Sequence, residues 1–134
     1  VSTERLASGP GLVNIYEALC QMDHLPVRGL EPHHVTEAGL GGRDAQCAEA
    51  LAMFCGILGT AAANLVVTLG ARGGLYLGGG IVPRLGDYFD RSPFRARFEH
   101  KGRFSRYVAA VPSYVILADY PALRGLAVAI NSGR

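Results

Sequence analysis

Among the residues whose types and spacing could do chemistry, the stretch Gly73 to Arg84, GGLYLGGGIVPR, is the most informative. Leu75, Tyr76 and Leu77 form a short apolar run flanked by glycines, the signature of a buried strand. Gly78, Gly79 and Gly80 follow, and Pro83 stands where the first turn of a helix continuing from Arg84 to Phe89 begins. Glycines let the backbone take positive φ and let a ligand approach the main chain, and a helix N-terminus offers free N–H groups and partial positive charge. The unit therefore predicts a docking edge of nucleotide size. It is not the phosphate loop G-x-x-x-x-G-K-[ST], and Pro83 occupies the third glycine position of a dinucleotide fingerprint. On its own the run could also be a purely structural glycine turn.

Other reactive side chains say less. Glu4 beside Arg5 reads by itself as a surface charge pair contributing little. His33 and Glu37, at i and i+4, could share a helix face, but two ligands next to a turn make a poor metal site, and a solvated helix start is the better reading. No metal site is expected. Cys20, Cys47 and Cys55 are odd in number and lack C-x-x-C spacing, which suggests neither a disulfide framework nor zinc and fits a reducing cytoplasm.

The elements that must position these residues are largely helical. With 134 residues and 49% hydrophobic content, the chain can fill one core but not two. A net charge of +2, carried by 12 arginines among 13 basic residues, is too small to make nucleic acid or an anionic membrane an obligatory partner. Val1 to Ala7 is helix-compatible, and Ser8-Gly9-Pro10-Gly11 breaks it before Leu12 to Met22 shows a buried stripe at Leu12, Val13, Ile15, Tyr16, Leu19 and Cys20. A short helix from Pro32 to Ala38 is expected next, then a long one capped by Asp44 and running toward Leu69. The 22 residues between Glu49 and Arg72 carry no charge. That is long enough to span a bilayer, yet Gly56, Gly59, Thr60, Asn64 and Thr68 make it too weakly apolar, and a central helix packed between a sheet and other helices fits better.

Downstream, Ser92-Pro93 opens a helix with Phe94 and Phe98 at i and i+4. Arg91, Arg95, Arg97, Lys101, Arg103 and Arg106 make this segment basic, but aromatics turned inward and arginines solvating the outer face explain it without RNA or DNA. Ser113 to Leu117 is a second strand, and Pro121 opens a last helix through Asn131. Strands joined by helical crossovers predict a parallel sheet, and a pair surrounded by so much helix should belong to a larger one. Together with the start at Val1, this leads to the expectation of a piece of a longer polypeptide.

Taken together, Glu4-Arg5, the joint Ser8-Gly9-Pro10-Gly11-Leu12-Val13-Asn14, the turn Leu77 to Arg84, Phe94-Arg95-Ala96, Lys101-Gly102-Arg103-Phe104 and Pro121-Ala122-Leu123 resemble the C-terminal part of bacterial ATP-dependent glucokinases, in order and spacing over the whole chain. The resemblance implies an α/β fold of actin-like, ribonuclease H-like sugar-kinase type. Residues 1–134 would form the C-terminal portion of the large lobe, helix-rich with two parallel strands at about 74–78 and 113–117. It implies transfer of the γ-phosphoryl group of ATP to the 6-hydroxyl of glucose in glycolysis, Mg2+ carried by the nucleotide, a cytoplasmic homodimer as the full-length protein, and no membrane or nucleic-acid partner. Glu4, in the family's S-x-E-R context, would accept hydrogen bonds from glucose hydroxyls, reversing its bland reading. Gly78, Gly79, Gly80 and Ile81 would form the adenosine-side turn. No catalytic residue is expected in this chain: the base would lie upstream, and the chain alone would be inactive. The alternative weighed is a sugar-responsive transcriptional regulator of the same superfamily, or a kinase fused to one.

Overall fold

A computed structural model describes residues 2–132. The axis of the fold is a 25-residue helix, α3 (Ala45–Leu69). Asp44 starts it from an extended conformation, its Oδ1 accepting from the Cys47 N–H at 2.8 Å, and Gly70 ends it in the left-handed region at φ 63°. Its buried positions include Cys47, Ala50, Leu51, Phe54, Cys55, Ala62, Ala63 and Val66. Half of its most apolar window is buried. The main partners of α3 are the helices α1 (Gly9–Met22), α2 (Pro32–Leu40) and α6 (Phe94–Glu99) rather than the sheet expected on one side.

Small residues set how close these helices come. A Cβ added at Gly59 would lie 2.3 Å from the Phe94 carbonyl oxygen, and one at Gly39 of α2 would lie 2.8 Å from that of Cys47. Two of the long helix's neighbours therefore touch it backbone to backbone. The core around these contacts holds Leu12, Tyr16, Leu51, Phe98, Val108 and Val111, each at most 2% exposed.

The break expected at Ser8 to Gly11 is instead the first turn of α1. Ser8 caps that helix, its Oγ accepting from the Gly11 N–H at 3.1 Å, and Pro10 sits in the first turn, where no N–H is needed. Ahead of it, residues Thr3–Arg5 form a single 3-10 turn; the predicted helical stretch from Val1 begins outside the described residues.

The strands β1 (Leu75–Leu77) and β2 (Ser113–Val115) pair in parallel with Tyr76 opposite Tyr114. Ile116 still donates to the Leu77 carbonyl at 2.9 Å, but the strand ends two residues short of the predicted Leu117. One face, with Leu77 and Val115, turns toward the helices, while Tyr76 and Tyr114 stack at 5.2 Å on the other and are 64% and 47% exposed. The fully buried strand expected from LYL is thus buried on one face only.

After the glycine turn, the single helix expected from Arg84 to Phe89 is two short ones, α4 (Val82–Leu85) and α5 (Asp87–Arg91), because Gly86 between them takes φ 49°. Next come α6, a 3-10 turn at Gly102–Phe104, α7 (Ser105–Ala109), β2 and α8 (Pro121–Ser132). Phe94 and Phe98 turn inward as expected, but Arg95 does not merely solvate the surface. Its guanidinium donates to the carbonyls of Val111 at 2.9 Å and Ala109 at 2.8 Å, to Ser113 Oγ at 3.1 Å and to Glu99 at 2.6 Å, which fastens α6 to the start of β2.

Two outcomes follow in thermal unfolding. Gly59→Ala is destabilising by about 1–3 kcal/mol, because overpacking against a backbone carbonyl outweighs the helix-propensity gain of about 1 kcal/mol. Gly125→Ala in α8, where an added Cβ meets nothing within 4 Å, is not destabilising. The second outcome concerns Asp44. Burial pushes its carboxyl upward, but the Cys47 N–H and the ion-paired Arg28 outweigh this and hold it below the usual value. A depressed folded pKa contributes stability that is present above the unfolded pKa and lost as pH falls through the folded one. Below the ordinary carboxylate range the native protein should lose stability more steeply than Asp44→Asn, which keeps a neutral cap.

Candidate functional site

Glu4 sits in the 3-10 turn ahead of α1, exposed, and among the described residues no hydrogen bond or ion pair engages its carboxylate, Arg5 included. The turn itself is held. Asn14 Nδ2 donates to the Arg5 carbonyl at 3.1 Å, and Gly11 is pressed so closely on the chain that an added Cβ would lie 2.5 Å from the Leu6 carbonyl group. A held backbone with an uncommitted carboxylate leaves both oxygens available to accept from hydroxyl donors.

The glycine turn leaves β1 at Gly78. Gly79 takes φ 120°, a conformation closed to side chains, and a Cβ added at Gly79 or Gly80 would meet nothing within 4 Å. The main chain there is flanked by open space. Because α4 is a single turn, the approach of backbone to ligand carries more of the binding argument than the helix-terminus charge read from sequence.

Pro32 at the start of α2 links the two places. Its Cγ lies 3.5 Å from where a Cβ of Gly9, at the start of α1, would be, and it lines a cavity of about 180 Å3 together with His33, Thr36, Gly80, Ile81 and Arg84. Pro32 thus lies beside the start of α1 and shares a cavity wall with the end of the glycine turn. Gly78 and Gly79 do not line that cavity; Gly78 instead approaches the Ile116 side chain. A larger apolar groove of about 390 Å3, lined by Met53, Ile57 and Pro93 with Glu49 and Arg97 beside them, contains none of the predicted site residues. Its place between α3 and α6 follows from helix packing, whereas the smaller cavity contains Gly80 and Ile81 of the predicted turn.

His33 and Glu37 are both exposed on α2, and among the described residues no group of three His, Cys, Asp or Glu side chains could hold a metal ion. His34 takes part in the helix start instead, its Nδ1 accepting from the Glu31 N–H at 3.3 Å. The supports that sequence reasoning missed are Asn14, Gly11 and Pro32. Each had a local signal, an asparagine and a glycine inside the joint and a proline at a helix start, but none of these signals says what the residue touches.

The cysteines are enclosed. Burial, with the Asp44 carboxylate nearby, pushes the Cys47 thiol up to about 12, and burial pushes that of Cys55 to about 11. Neither is a thiolate near neutral pH, which removes them as nucleophiles. Iodoacetamide at pH 8 should leave Cys47 and Cys55 unlabelled in the folded protein and label them on unfolding, as peptide mass spectrometry would read.

Comparison with known proteins bears on this geometry. A family model described as Glucokinase matches residues 1–133. The chain is 54% identical to a glucokinase of Aromatoleum aromaticum over 132 residues, 98% of this chain and 40% of that one. It is 58% identical to a glucokinase of Chromobacterium violaceum over 127 residues, 95% of this chain and 36% of that one. A crystal structure of glucokinase from an Antarctic psychrotroph superposes with a TM-score of 0.89 at 34% identity, over 98% of this chain and 41% of that one. The chain therefore spans about two fifths of the length of the relatives it matches.

Proposed function

Because the chain belongs to the glucokinase family, we propose that its protein is a bacterial ATP-dependent hexose kinase that transfers the γ-phosphoryl group of ATP to the 6-hydroxyl of glucose. The observation that supports this, beside the family match, is that Pro32 lies beside the start of α1, just after the turn bearing Glu4, and lines one cavity with Gly80 and Ile81 of the glycine turn. In this reading the chain is the C-terminal portion of the large lobe of an actin-like, ribonuclease H-like kinase, with β1 and β2 as strands of a larger sheet. The open Tyr76 and Tyr114 face and the exposed Leu123, Leu126 and Ile130 of α8 are consistent with further cover from the rest of such a protein. Glycolysis in the cytoplasm is the setting, and a homodimer the assembled form.

Phosphoryl transfer asks the protein to align an acceptor hydroxyl with the γ-phosphorus, take its proton and stabilise spreading charge. Glu4 performs the first task in part, accepting from sugar hydroxyls and so fixing the ring. Gly78, Gly79, Gly80 and Ile81 let the adenosine moiety lie against the main chain. Mg2+ is assigned to the nucleotide, and no side chain of this chain is assigned to it. The catalytic base is likewise assigned to none of its residues, so the chain by itself phosphorylates no glucose. The transcriptional regulator weighed from sequence gains no support from the relatives compared, which are named glucokinases.

Glucose calorimetry on the longest polypeptide the gene encodes, and on this chain alone, tests the reading. Glu4→Gln replaces an acceptor-only group by one with a single acceptor oxygen and should weaken glucose binding by the longer polypeptide about tenfold or more, since hydrogen bonds to charged groups contribute about 1.5–3 kcal/mol. This chain alone should bind none. Glucose affinity indifferent to Glu4 would return that residue to the surface.

A further inference from the structure

We infer that the cavity between α2 and the start of α3 binds a small zwitterion of the α-amino acid class, its carboxylate on Arg43 and its ammonium group on Glu37. The cavity holds about 350 Å3, within the roughly 300–1,000 Å3 of small-molecule sites, and neither Glu4 nor any of Gly78 to Ile81 lines it. From α2 it takes His34, Glu37 and Ala38, a different face from the Pro32, His33 and Thr36 that line the cavity beside the glycine turn.

Arg28, Glu37, Arg43 and Asp44 bring charge to its lining, and two of them are already used by the protein. Arg28 pairs with Asp44 and donates from Nε to the Tyr16 hydroxyl, while Asp44 Oδ1 accepts from the Cys47 N–H. Arg43 and Glu37 are left, and among the described residues neither side chain is engaged in an ion pair, with each other or with a third group. One uncommitted cation and one uncommitted anion sum to no net charge. A lone anion such as phosphate is therefore opposed by Glu37 and a lone cation by Arg43, whereas a ligand with one charge of each sign satisfies both. The planar guanidinium suits a carboxylate, to which it can donate two parallel bonds, and an ammonium group brings three donors to an acceptor-only side chain.

The frame that carries these charges is held. The Arg43 N–H donates to the Ala38 carbonyl at 3.1 Å and the Gly41 N–H to that of Glu37 at 3.0 Å, so the joint from α2 to α3 is a hydrogen-bonded turn. A Cβ added at Gly41 would lie 3.0 Å from Arg43 Nε and 3.2 Å from the Glu37 carbonyl oxygen. Glycine there lets the arginine lie over the last turn of α2, which also carries Glu37 and whose dipole favours a cation. His34 supplies a further donor: its Nδ1 accepts from the Glu31 N–H at 3.3 Å, which leaves the proton of the neutral ring on Nε2. Leu30 and Ala38, both packed on the core, give the cavity an apolar part that suits a short side chain.

Calorimetry on the longest polypeptide the gene encodes tests this, with L-alanine as the probe and propionate and ethylamine as its isosteres lacking the ammonium or the carboxylate. L-alanine should bind, and each isostere should bind about tenfold or more weakly, having lost one charged hydrogen-bonding group. Arg43→Ala and Glu37→Gln should each weaken L-alanine by a similar factor, and Arg43→Lys, which keeps the charge without the fork, should retain part of the affinity. Glu37→Gln should also erase the preference for L-alanine over propionate, which a general loss of structure would not do. Both side chains are exposed, so the thermal midpoints of these variants should match that of the parent. No heat with L-alanine at millimolar concentration would overturn the inference. So would propionate binding as tightly as L-alanine, which marks an anion site only, and so would L-alanine binding indifferent to both residues, which places the amino acid elsewhere.

Discussion

The backbone contact between α3 and α6 at Gly59 and Phe94 is the constraint on which the arrangement depends. Helices separated by ordinary side chains lie about 8–10 Å apart and tolerate small adjustments. Here no Cβ fits between the Gly59 carbon and the Phe94 carbonyl, so the spacing of the two helices is set by main-chain atoms. Gly39 of α2 makes the same kind of approach to the carbonyl of Cys47. A helix without charge over most of its length, approached this closely by two neighbours, behaves as a ruler.

Both parts of the proposed site are connected to that ruler. On one side α1 packs on α3 and carries the turn with Glu4, held through Asn14 and the close approach of Gly11 to Leu6. On the other, α6 packs on α3 and reaches β2 through the Arg95 guanidinium, and β2 pairs with β1, whose end delivers the glycine turn. Pro32, on a third helix packed on α3, lies beside the start of α1 and faces the same cavity as Gly80 and Ile81. The turn bearing Glu4 and the glycine turn are thus linked through packed helices and a four-bond arginine and not through loops alone.

The N-terminal end of α3 has its own polar clamp. Asp44 caps the helix and pairs with Arg28, whose Nε also donates to the Tyr16 hydroxyl at 3.3 Å, so the loop before α2 is tied to both α1 and α3. Burial raises the Tyr16 pKa despite that bond, which keeps the hydroxyl neutral. The last helix and the outer sheet face contrast with this. All of α8 is exposed, with Leu123, Leu126, Val128 and Ile130 each at least 59% accessible, and the stacked Tyr76 and Tyr114 lie open on their sheet face. Parallel strands are ordinarily covered on both faces. The uncovered surface accords with a chain spanning about two fifths of its relatives.

Much of the local structure was legible in residue order because its causes are local. Asp44 as a cap, Pro121 as a helix start and the inward pair Phe94 and Phe98 each act within a turn or two of themselves. The glycine run announced a turn for the same reason, since Gly79 takes a φ that other residues avoid. The motifs also carried the family, because a resemblance is a statement about residue order. What the tertiary structure decided were the contacts between distant segments: Arg95 as the fastening of β2, and Pro32 beside the start of α1 and in one cavity with Gly80 and Ile81. The glycines at 39 and 59 show why. Their type is visible in the sequence, but the carbonyl that forbids a Cβ belongs to another helix, and only folding brings that oxygen within reach.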